Sequence, residues 1–89
     1  MKRVNIIVTG NVQGVFFRSF IRQNALDLGV NGYVRIEGKD KVEAVFEGKD
    51  KDVDDLVKLC KKGPDGAKIK KLQVKEEWYL NEFLGFSVV

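Results

Sequence analysis

Histidine is absent from this 89-residue sequence, and cysteine, proline, methionine and tryptophan occur once each. Without histidine the commonest metal ligand and the commonest general base are missing, so zinc centres and serine or cysteine triads are set aside. A lone Cys60 leaves no partner for an internal disulfide. No apolar run approaches the length that spans a bilayer. The start, MKRVNIIVTG, carries two basic residues and then only a short alternating segment, which suits a first strand better than a signal peptide. The expected location is the cytoplasm, with no membrane contact.

Hydrophobic residues make up 44% of the chain and charged residues 33%, the balance of a globular domain rather than a disordered segment. The length leaves room for one domain over residues 1–89, with one core and one site, and favours a free-standing, monomeric protein. Sixteen basic and thirteen acidic residues give a net charge of +3. They are intermingled, as in residues 49–62, which reads as a solvated surface rather than a nucleic-acid footprint. A modest positive field still favours a small anionic ligand.

Val4, Ile6 and Val8 alternate with Asn5, Ile7 and Thr9, so residues 3–9 are expected to form a strand. Residues 10–17 follow as a loop. From Phe17 the apolar positions Phe20, Ile21, Ala25 and Leu28 have helical spacing, predicting a helix over 18–28 stopped by Gly29. Residues 32–37 and 41–47 read as a hairpin turning through 37–40, with Glu43 and Glu47 on a solvated face. KDKDVDDLVKLCKKGP is punctuated as a second helix: Asp50 as N-cap, acidic residues early, lysines late, and Gly63-Pro64 as the stop. Its apolar stripe of Val53, Leu56, Val57 and Cys60 makes the cysteine a core residue. Strands over 69–78 and 84–89 complete the order. A β-α-β-β-α-β chain with one further strand predicts an α+β, ferredoxin-like fold: an antiparallel sheet with two helices on one face.

The stretch GNVQGVFFR, residues 10–18, leaves a strand, turns through glycines and enters a helix. Such a turn can point several backbone N–H groups into one concavity, with the helix N-terminus behind them favouring an anion. Arg18 stands at its mouth with a planar fork of donors matched to phosphate oxygens. It is not a Walker A loop, because Val15 stands where the second glycine would be. On these grounds alone, an ordinary connection with Phe16 and Phe17 in the core and Arg18 on the surface is an equal reading.

The same string resembles the signature of the acylphosphatase family, Gly-x-Val-Gln-Gly-Val-x-Phe-Arg. Every fixed position is met, by Gly10, Val12, Gln13, Gly14, Val15, Phe17 and Arg18. The resemblance extends over the Gly32-Tyr33-Val34-Arg35 strand, the strand ending at Gly48 and the Gly63-Pro64 break. It implies hydrolysis of small acyl phosphates to carboxylate and phosphate, with no metal and no cofactor. It also implies that the amides of about Val12, Gln13, Gly14, Val15, Phe16 and Phe17, with the Arg18 side chain, bind the phosphoryl group. Little covalent help from the protein is needed for phosphoryl transfer, so the missing histidine is no objection.

One position departs from the family. An asparagine that holds the attacking water is expected immediately after the Gly-aromatic-Val-basic run, and Ile36 stands there; Asp40 replaces a later glycine. Asn31 lies five residues earlier, on the opposite strand face and about 17 Å away at about 3.3 Å per residue, so it cannot substitute. Asn11 and Gln13 belong to the loop itself. The expectation is an acylphosphatase-like protein with strongly impaired or absent hydrolysis. The alternatives are an active acylphosphatase and a non-catalytic anion- or partner-binding module. Binding of nucleic acid by the sheet is disfavoured by Glu43 and Glu47.

Overall fold

The computed structural model describes residues 1–12 and 15–89, with only the backbone described at Val15. Strand β1 (Lys2–Asn11) buries Val4, Ile6 and Val8 on one face, as the period-two pattern requires. The helix α1 (Val15–Leu28) follows, then β2 (Asn31–Gly38), β3 (Lys41–Gly48), α2 (Asp50–Lys62), β4 (Lys68–Glu77) and β5 (Phe86–Val88). The strands lie in the order β4-β1-β3-β2-β5. β1 is therefore an interior strand, pairing antiparallel with both β3 and β4.

Both helices pack on the face that carries Val4, Ile6, Val8, Val34, Ala44 and Phe46. From α1, Phe17, Ile21 and Ala25 enter the core at four-residue intervals. From α2, Val53, Leu56 and Cys60 do so. Burial pushes the Cys60 thiol up to about 12, so it behaves as a small apolar side chain.

Several boundaries and contacts differ from the sequence expectation. α1 begins at Val15 rather than at 18, because the loop's apolar residues already take up helical spacing with Phe17 pointing into the core. Asp50 lies inside α2; the cap position is Lys49, which makes no side-chain cap bond. The sheet is not wholly antiparallel. β5 pairs parallel with β2, in the register Gly32↔Phe86 and Val34↔Val88.

The largest difference concerns the open face of the sheet. Glu47, expected in water, is only 2% exposed. The irregular segment after β4 crosses beneath it, and the amides of Leu80, Asn81 and Glu82 donate to its carboxylate at 2.9, 3.1 and 3.1 Å. Asn81 takes a left-handed backbone (φ 50°), which turns these successive N–H groups toward one point. Arg3 joins Glu47 at 3.3 Å, Glu77 at 3.0 Å and Glu82, and lies 5.2 Å from the centre of the Phe83 ring. Burial opposes ionisation of Glu47, but the amide and Arg3 hydrogen bonds outweigh it and hold its carboxyl below the ordinary value.

Candidate phosphate-binding site

The strand-to-helix connection after β1 sits at one end of the sheet. Gly10 has φ 145°, and a β-carbon there would lie 2.1 Å from the Lys68 carbonyl oxygen, so only glycine lets the chain pass the edge strand at this point. The Gly10 amide donates to the Asp40 carbonyl at 3.0 Å, tying the start of the loop to the β2–β3 turn. Val12 is fully buried and anchors the loop from below. Gln13 and Gly14, both expected to contribute amides, lie outside the described residues, as does the Val15 side chain.

Beyond them α1 presents its N-terminus. Its first turn holds no acidic residue, unlike that of α2 with Asp50 and Asp52, so the positive end of the dipole there has no carboxylate of its own. Phe17 points into the core and Arg18 is half-buried on the next position, while Phe16 is 65% exposed. The two phenylalanines thus divide: Phe17 fixes the helix, and Phe16 stands at the surface. The described residues at this end are thus the α1 N-terminus, without a carboxylate in its first turn, and the Arg18 guanidinium.

Ile36 lies opposite Val42 in the β2–β3 ladder, and Val42 lies opposite Val8 of β1. It therefore shares the helix-covered face with Val34 and stands two strands from β1, about 10 Å at the usual strand spacing. Val34 is fully buried, but Ile36 remains 48% exposed beyond the cover of α1. Asn31 lies on the other face and donates to the Phe83 carbonyl at 3.3 Å, so it is committed elsewhere. Val88 was invisible to sequence reasoning as a neighbour of Ile36. It reaches the same face through the parallel β2–β5 register, and a three-residue strand carries no signal of its partner.

Among the described residues no group of three or more acidic, cysteine or histidine side chains is placed to hold a metal ion. Among the described residues there are grooves away from this loop. One, lined by Lys2, Val4, Asp54, Val57, Lys58, Val74 and Glu76, runs along the β4 edge, and its Lys2 and Asp54 are already paired at 2.8 Å.

Comparison with known proteins agrees with this arrangement. The acylphosphatase family profile matches residues 4–88. The chain is 47% identical over its full length to an acylphosphatase of Syntrophus aciditrophicus, covering 93% of that protein. It is 44% identical over 97% of its length to one of Pelotomaculum thermopropionicum, covering 94% of it. The fold superposes on the crystal structure of acylphosphatase from Bacillus subtilis with a TM-score of 0.93 at 32% identity, covering 100% of this chain and 99% of that one. With the signature loop, the sheet order and near-complete coverage all in agreement, the chain belongs to the acylphosphatase family.

Proposed function

We propose that this protein binds phosphate or small acyl phosphates through Arg18 and the loop amides, and that its hydrolysis of them is strongly impaired or absent. Ile36 carries the reading. Family members place an asparagine here to hold the attacking water, and isoleucine can neither donate to nor accept from a water molecule. Its side chain is half-exposed on the helix-covered face and offers only hydrocarbon to the solvent there.

The chemical consequence follows from how phosphoryl transfer is catalysed. The fork of Arg18 and the amides of the loop neutralise the phosphoryl oxygens and fix the group, and the remaining requirement is a nucleophile in line with the leaving carboxylate. Losing one well-aimed polar group commonly lowers the rate by about 10²- to 10³-fold. A water without an orienting partner samples many directions, and few are productive.

A second reading, an active acylphosphatase, is favoured by the identity to relatives bearing that name over the full length of the chain. Steady-state hydrolysis of acetyl phosphate by the natural protein, Ile36→Asn and Ile36→Asn/Arg18→Ala separates the two. The first reading expects a gain of at least about 100-fold in kcat/KM for Ile36→Asn, abolished in the double variant. Hydrolysis by the natural protein that Ile36→Asn does not raise and that the double variant loses establishes the second.

A further inference from the structure

We propose that the outer edge of β4 is a docking site for an acidic, extended peptide segment of another protein, which adds to the five-stranded sheet as a further strand. β4 ends the sheet and, among the described residues, pairs only with β1, so one side of its backbone has no strand to bond with. Thr9 lies opposite Lys71 and Gly10 opposite Ile69, which leaves Lys70 without a counterpart and bends the strand there. The regular part is therefore Lys71 to Glu77, about 20 Å long at about 3.3 Å per residue. An open edge of this kind takes up extended segments through main-chain hydrogen bonds, and the side chains along it decide which segment.

Alternation sorts those side chains. Lys71, Gln73 and Lys75 lie opposite Thr9, Ile7 and Asn5 on the open face, and all three are exposed. Lys68, Lys70, Lys71 and Lys75 are in no ion pair among the described residues, so four positive charges along the edge have no acidic partner. On the other face Val74 is 50% exposed, and it borders a groove of about 440 Å³ between β4 and α2 that Val57 also lines. A side chain projecting from an added strand on that side finds apolar surface, while its neighbours on the open face meet Lys71 and Lys75. The matching segment reads acidic, apolar, polar, apolar, acidic, with its two carboxylates opposite the two lysines.

A second copy of the chain fits less well. Antiparallel pairing of two β4 strands about Gln73 sets each Lys71 against Lys75 of the second copy, and like charges directly opposite destabilise a pair. Moving the axis to Val74 sets Lys71 against Glu77, but that carboxylate is already held by Arg3 at 3.0 Å. The lysines thus keep copies apart, as edge lysines do, and leave the edge open to a strand of opposite charge.

A peptide of sequence Ser-Glu-Val-Thr-Val-Glu-Ser, capped at both ends, is the probe, read by amide hydrogen exchange and NMR shifts of the folded protein. At about 1 mM it is expected to slow exchange and shift resonances in residues 71–77, leaving β2 and β5 on the far side of the sheet unchanged. Lys71→Glu/Lys75→Glu weakens binding at least about tenfold, and that variant takes instead the peptide with lysine in place of both glutamates. Val74→Thr, still β-branched, weakens binding of the acidic peptide by about threefold. No change in residues 71–77 at that concentration, or binding that survives the charge reversal, overturns the proposal. Edge protection in peptide-free protein that rises with protein concentration, together with a dimer in sedimentation, also overturns it, because the edge then belongs to a second copy.

Discussion

Replacing Glu47 by alanine removes the acceptor on which the segment beneath the open face is hung. Its carboxylate takes three amide hydrogen bonds, from Leu80, Asn81 and Glu82, and one from Arg3. Bonds to a charged acceptor are each worth about 1.5–3 kcal/mol, set against the cost of burying the carboxylate. Breaking a buried pair costs about 3–5 kcal/mol when the remaining charge is stranded. Here Arg3 keeps Glu77 and Glu82, and the segment's outer side is open to water, so the lower end, about 3 kcal/mol, is expected. In a domain of this size that loss lowers the melting temperature by roughly 12–24 °C, measurable by circular dichroism and by urea titration. The pH dependence adds a second readout. The folded-state carboxyl lies below its ordinary value of 4.5, so its contribution is present above that value and lost as pH falls through the lowered one. The stability gap between the natural protein and Glu47→Ala therefore narrows below about pH 4.5. A loss under about 0.5 kcal/mol near neutrality refutes the reasoning, because it would mean that water serves these amides as well as Glu47 does.

Two further substitutions and one labelling experiment follow from the core. At Gly32, φ is 144° and a β-carbon would lie 1.8 Å from the Val45 carbonyl oxygen. Gly32→Ala is thus expected to cost on the order of 3 kcal/mol or more in urea unfolding, and a near-neutral result would show that β2 shifts freely against β3. Gly38→Ala, with nothing within 4 Å of the added carbon, serves as its control and is expected to change stability little. Cys60, fully buried with its thiol pushed up to about 12, is expected to react with a disulfide reagent at pH 8 only as fast as the domain opens. Rapid labelling in native buffer would contradict its place in the core.

The alternation of Val4, Ile6 and Val8 and the stripe of Val53, Leu56 and Cys60 were readable because each periodic face is buried by one packing partner. Glu47 was misassigned for the complementary reason. Its parity on β3 places it correctly on the open face, but that face is partly covered by a segment without periodicity, Trp78 through Gly85, whose contacts depend on where the chain returns. The segment's apolar residues are no guide to this, since Trp78, Leu80 and Leu84 face solvent and only Tyr79 and Phe83 are half-buried. The parallel partner of β5 had no signal at all, since three residues fit either direction. At the site, the loop string and the unusual Ile36 were plain in the sequence, whereas the exposure of Ile36 and the arrival of Val88 beside it are products of the sheet's register.

The interior position of β1 also sets the order in which the sheet can assemble during synthesis. β1 is made before the other strands of this sheet and is flanked by β3 and β4, and Arg3 meets Glu47 and Glu77 across separations of 44 and 74 residues. Its hydrogen-bonding edges must therefore wait, one until the middle of the chain has been made and the other until nearly all of it has. Closing such long loops is entropically slow and leaves an apolar strand exposed in the interval. Slow translation would prolong that exposure, so the nascent chain is at greatest risk of mispairing before β4 arrives.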